Sequence, residues 1–158
     1  MNEQLAIELL STQFINRYDI ERTVKRVAKY MENYKKLEMQ TASEICLITS
    51  KDFSQVYIDK SSSHSDGVYG MVGKMIDNER LYNEISYKLS IVNKKLTPEE
   101  KAYFSIVFRD MKSEYVASNV IGRSRNGLKI IRNSCALKVA LAIGKEVLKG
   151  APPFDDED

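Results

Sequence analysis

The side chains with usable chemistry gather between Arg123 and Asn133. Arg123, Arg125, Lys129 and Arg132 supply cations, Asn126 and Asn133 supply amide donor–acceptor pairs, and Ser124 supplies a hydroxyl. Cations attract phosphate, an asparagine amide can pair bidentately with adenine, and a lysine can reach guanine O6 or N7. No comparable cluster points to covalent chemistry. His64 is the only histidine, and its setting in SSSHSDG specifies no orienting partner of the kind a catalytic triad needs. Ser61, Ser62, Ser63 and Ser65 read as linker. The glycines of GVYGMVG follow a polar passage rather than a strand and lack the spacing of a nucleotide loop. The acidic end, Asp155 to Asp158, lacks the alternation and glycine of an EF-hand. The expectation is a protein without catalytic residues, metal site or cofactor.

The elements around the basic cluster read as a helix-turn-helix. Thr97 can cap a first helix, Pro98 fits its first turn, and Glu100 completes a T-x-x-E capping box. Ser113 precedes a short apolar run, Tyr115, Val116, Val120 and Ile121. Gly122-Arg123-Ser124 then supplies a turn and a new cap before a longer helix. In such an arrangement one helix braces the DNA backbone while the next enters a major groove. Seven basic residues stand between Arg109 and Lys138 against Asp110 and Glu114, a net charge of +5. That local excess favours nucleic acid, although a basic helix face is also common on ordinary surfaces. Over the whole chain the net charge is only +2, because the last four residues carry −4.

Placing residues at about 100° each from Ser124 divides the last helix into faces. Leu128, Ile131, Cys135, Val139 and Ala142 share one arc and are expected to be buried. Asn126, Lys129 and Asn133 cluster opposite, where base edges lie, with Arg123, Arg125 and Arg132 placed to anchor phosphates. Arg125 and Arg132, at the border, can also cover apolar surface with their stems. Gly127 either lets the DNA backbone approach closely or is simply tolerated near the helix start, and the second is the simpler reading. Ile130 and Leu137 project toward the same face; Ile130 could meet a thymine methyl, or both could pack on another protein. The periodic pattern continues to about Lys149. Its far end, with Val139, Ile143, Val147 and Leu148, is expected to dock on the N-terminal helices or on a second copy in a homodimer.

With 158 residues and 43% hydrophobic content, the chain can bury a helical core. No apolar run approaches the roughly 20 residues of a membrane span, and the acidic N-terminus, MNEQLAIELL, is unlike a secretory signal. Cys46 and Cys135 stand far apart and read as buried thiols in a reducing cytoplasm. The expected layout is all-α. It comprises an N-terminal helical region (1–50), a polar loop (51–73), a connecting helix (74–95), the helix-turn-helix domain (96–150) and a disordered acidic tail (151–158). In the first region Leu5, Leu9, Leu10 and Phe14 mark one helix. Ile20, Val24, Val27, Met31 and Tyr34 mark a second, ending near Gln40. The connecting helix carries Met75, Ile76, Leu81, Ile85, Leu89 and Val92 on its apolar side.

These residues carry a family resemblance. The LTPEE opening, the IGRS turn and a helix ending in Ala and Lys resemble the ArpU-type regulators of Gram-positive phages and prophages, relatives of the RinA-type late-transcription activators. VKRVAKYMENYKKLEMQ is similar to a helix near the start of those proteins, and SSSHSDGVYG sits where they have a polar loop. The C-terminal part also resembles region 4 of sigma factors. The resemblance implies activation of phage late genes in a bacterial host cell, by binding double-stranded DNA at a promoter region, close to RNA polymerase. Gly127 and the pair Ile130-Ile131 interrupt the polar face expected of a strong −35 reader, and no counterpart of sigma region 2 is visible. Both departures point to an accessory activator. The alternative is a helical docking protein that grips RNA polymerase or a host regulator without reading DNA. RNA binding has little support, since no aromatic stacking pair stands out.

Overall fold

In the computed structural model the chain is all-helical, as its composition and periodicity predict. The structure describes residues 14–50 and 65–152, with the backbone alone for 44–50, 65–69 and 71. The expected first helix at Leu5, Leu9 and Leu10, the His64 loop, the Cys46 side chain and the acidic tail lie outside the described side chains. The elements are α1 (Ile20–Ser50), α2 (Ser65–Lys95), α3 (Pro98–Tyr103) running on into a π-helical turn (Phe104–Arg109), α4 (Glu114–Ile121) and α5 (Arg125–Ile143). No helix among the described residues is long and apolar enough to cross a membrane.

Three boundaries differ from the sequence reading. Helix α1 passes Gln40 and runs to Ser50. Nothing between Ile20 and Ser50 is Gly or Pro, and the hydroxyls just past Gln40 bond inside the helix. Thr41 Oγ1 donates to the Leu37 carbonyl at 2.9 Å and Ser43 Oγ to that of Met39 at 2.7 Å. Helix α2 begins at Ser65, so the expected loop does not extend to Gly73. Gly70 and Gly73 face open space; each weakens a helix by about 1 kcal/mol relative to Ala without breaking it. Helix α5 ends at Ile143 rather than near Lys149. Gly144 takes φ 70°, and Lys145 N–H bonds the Ala140 carbonyl at 2.9 Å, a left-handed stop that turns the chain away.

The chain forms two compact units, one of Met1–Glu32 and Lys88–Asp158, the other of Asn33–Tyr87. In the second, Tyr34 and Tyr82 stack nearly parallel with ring centres 5.4 Å apart, and the Tyr34 hydroxyl lies 2.8 Å from Ser86 Oγ. Ile85 is buried there. Of the residues assigned to the apolar side of α2, Ile76 and Leu81 are exposed at 60% and 48%. Ile76 falls about 180° from Ile85 at helical pitch, which accounts for its exposure.

The first unit holds the core that matters for the basic cluster. Val27 and Met31 of α1, Val92 and Leu96, Tyr103, Phe108 and the inner face of α5 are buried in it. The π-turn widens the end of α3, with Asp110 N–H reaching the Ser105 carbonyl at 2.9 Å, five residues back. Tyr103, Phe104 and Phe108 are all buried here, Tyr103 and Phe108 meeting edge to face at 5.6 Å. After Gly144 the chain extends along the start of α1. Tyr18 and Leu148 form an isolated antiparallel bridge, and Val147 is buried. Val147 therefore meets the N-terminal segment as an extended residue, not as part of the last helix. Thr23, fully buried, donates to the Asp19 carbonyl at 2.7 Å and accepts from Val147 N–H at 3.1 Å. Thr23→Val keeps the shape but strands that buried N–H. It is expected to cost about 1–3 kcal/mol, measurable by urea unfolding as a lower midpoint with unchanged slope.

Candidate nucleic-acid interface

The turn between α4 and α5 is built by its own residues. Gly122 takes φ 71°, which a side chain rarely adopts, and its N–H bonds the Ser118 carbonyl at 2.8 Å. Ser118 Oγ donates to the Arg123 carbonyl at 2.8 Å, closing the turn. Ser124 is extended and accepts from Gly127 N–H at 3.4 Å, capping α5. Both expected caps around α3 and α5 are thus present, whereas Ser113 precedes α4 without a side-chain cap bond. Within α4 it is Ala117 that is buried; Tyr115 and Val120, expected on the apolar face, are exposed at 75% and 65%.

A polar pin holds α5 from beneath. Glu100 receives Lys138 Nζ at 2.7 and 2.9 Å, Ser134 Oγ at 2.6 Å and the Thr97 N–H at 2.8 Å. The Thr97–Glu100 capping box therefore also ties the start of α3 to the middle of α5. Burial alone raises the Glu100 carboxyl, but its bonds from Lys138, Ser134 and Thr97 outweigh that and hold it below the ordinary range. The buried Tyr103 hydroxyl donates to Glu114 Oε1 at 2.8 Å, fixing the start of α4. Beside the pin, burial first and the nearby Glu100 second push the Cys135 thiol up to about 12. A thiol so protonated is a packing group rather than a nucleophile.

The exposed polar side chains of α5 lie in its first part. Arg123, Ser124, Arg125, Asn126, Lys129 and Ile130 are exposed, Asn133 is half-buried, and from Cys135 to Ala140 every residue but Lys138 is buried. The accessible length is thus roughly two and a half turns. The expected buried arc holds for Leu128, Ile131, Cys135 and Val139, while Ala142 is exposed because the helix ends beside it. Leu137, expected near the DNA face, is buried instead, at 6% exposure. Burial in the second half of the helix thus extends beyond the single arc that helical pitch picks out.

The candidate residues do not stand equally ready. Arg125 and Asn126 have no polar side-chain partner among the described residues. Arg123 pairs with Glu99 at 2.8 Å, though its side chain remains more than half exposed. Lys129 lies 3.8 Å from Glu21 and is also open. Arg132 is different: its side chain is 19% exposed and clamped by Glu21 at 2.9 Å and Glu114 at 3.6 Å. Its Nε also donates to Asn133 Oδ1 at 3.2 Å. Arg132 thus braces α1, α4 and α5 together, and it takes up one of the two lone pairs of the Asn133 amide oxygen. Which cation each of Glu21, Glu99 and Glu114 takes cannot be read from the sequence around the basic cluster, because every one of these pairings joins residues far apart in the chain.

Gly127 lies in regular helix, and a Cβ there would meet Arg123 Cβ and Ser124 Oγ at 3.6 Å, ordinary contact. Gly127→Ala is therefore expected to stabilise the domain by about 0.5–1 kcal/mol, read as a higher Tm. If the glycine serves close approach of a DNA backbone, the same variant binds DNA more weakly. Among the described residues no group of His, Cys, Asp or Glu is arranged to hold a metal ion. Comparison with protein-family models, curated proteins and solved structures gives no match to this chain.

Proposed function

We propose that the chain is a sequence-specific DNA-binding transcriptional activator, with the first turns of α5 as its reading element. The observation that carries the reading is an exposed set of Arg125, Asn126 and Lys129 at the start of a helix. That helix is preceded by a short tight turn and pinned rigidly from below by Glu100. A reader needs a helix end that protrudes, offers cations and amides, and cannot tilt. Arg123 and Arg125 anchor phosphates while Asn126 and Lys129 meet base edges; Ser124 caps the helix, and Arg132 and Asn133 play supporting parts. The resemblance to ArpU- and RinA-type regulators extends the proposal to late genes of a phage or prophage, with activation through RNA polymerase. No catalytic step or cofactor belongs to this reading.

The exposed Tyr115 and Val120 of α4 favour a second reading, a protein-docking module that grips RNA polymerase without reading DNA. Selection of full-length protein against a random duplex pool separates the two. The DNA reading predicts enrichment of a common sequence within a few rounds. A pool that stays random while the protein still co-purifies with RNA polymerase establishes docking in its place.

A further inference from the structure

Ile130 is 71% exposed on the outward part of α5. At helical spacing its neighbours are Asn126, Gly127 and Asn133, none with an apolar side chain, and the half-buried Ser134, which bonds Glu100, with Lys129 beside it. The other apolar residue that sequence placed there, Leu137, is buried in the core. Ile130 is therefore an isolated apolar group within a polar, basic face, along the length of helix available to a groove. Protein docking sites are built from contiguous apolar surface, which this stretch of the helix does not offer. The major groove presents one apolar group, the 5-methyl of thymine, in a field of donors and acceptors.

Resting on the DNA-reading proposal, we infer that Ile130 is a specificity-determining residue that selects a thymine through its 5-methyl group. Asn126, one turn earlier on the same face, is placed to bond an adenine close to that thymine. The recognised step is expected to be rich in A·T pairs where α5 enters.

The test uses full-length protein and the duplex enriched from the random pool, with thymines replaced one at a time by deoxyuridine. This removes a methyl and leaves every hydrogen-bonding group in place. One replacement is expected to weaken binding about threefold to fivefold, the scale of one buried methyl group. Ile130→Ala, at an exposed position, is expected to bind the thymine and uracil duplexes equally, whereas Ile130→Val retains part of the difference. If a sequence is enriched but no thymine is sensitive to the replacement, the inference is overturned and the DNA reading stands. The same holds if Ile130→Ala keeps the full sensitivity. If no sequence is enriched, the DNA reading fails and the inference falls with it.

Discussion

Arg125→Glu and Lys129→Glu are each expected to weaken binding to the preferred duplex by about tenfold to hundredfold, the worth of one well-placed polar interaction with the DNA. The two effects differ in kind. Arg125 sits at the first residue of α5, where a phosphate is the natural partner, so its reversal weakens all sequences similarly. It also lowers the slope of log K against log salt by about 0.9. Lys129, one turn further along, is the residue proposed to meet base edges, and its reversal is expected to relax preference at one position. Fold stability separates these effects from unfolding. No acidic residue stands in the first turn of α5, and a carboxylate there complements the helix dipole. Arg125→Glu should therefore leave Tm unchanged or slightly higher while binding collapses. Lys129→Glu places a carboxylate opposite Glu21, a partner 3.8 Å away in the native pair, and so should cost a little stability. Binding by Arg125→Glu at the native level would remove α5 from the DNA.

Glu100→Ala is expected to cost about 2–4 kcal/mol, read by denaturant unfolding. It removes half of a capping box and the carboxylate that gathers Lys138, Ser134 and the Thr97 N–H. Lys138 is partly exposed and can turn to water, which keeps the cost below that of a fully buried ion left alone. The pH dependence follows from the sign of the shift. The folded carboxyl sits below its unfolded value, so its contribution is complete above the ordinary glutamate range. It is lost as acid carries the pH down through the lowered folded value. Glu100→Gln should flatten that acid limb. Because the pin lies under α5 rather than on its outer face, Glu100→Gln should also loosen DNA binding without altering which sequence is preferred.

How legible the molecule is in its sequence depends on the range of the interactions. Local signals are reliable. The T-x-x-E box, the Gly122 turn and the Ser124 cap act within four residues and stand where the spacing puts them. The arc from Leu128 to Val139 follows from pitch alone. What sequence could not supply is tertiary. Leu137 is buried although pitch puts it outside the apolar arc, and Arg132 is occupied because Glu21 and Glu114 converge on it. The stop at Gly144 is hidden by apolar residues that continue the helical period beyond it. Val147 belongs to that period by accident of spacing, and is buried as an extended residue against Thr23. The π-turn at Phe104–Arg109 leaves no local mark either, since Tyr103, Phe104 and Phe108 fit an ordinary helix nearly as well. Of the residues that sequence offers for DNA contact, Arg123, Ser124, Arg125, Asn126 and Lys129 are exposed, and Arg132 and Asn133 are half-buried. Sequence cannot tell the free Arg125 from the clamped Arg132.

The most direct measurement is a fluorescence-anisotropy titration of the full-length protein against duplexes tiled across the DNA beside its own gene, at several salt concentrations. One duplex is expected to be bound far more tightly than the rest, with log K falling by about 0.9 per phosphate contacted as log salt rises. Weak, uniform binding to every duplex contradicts this and moves the outer face of α5 from DNA to a protein partner.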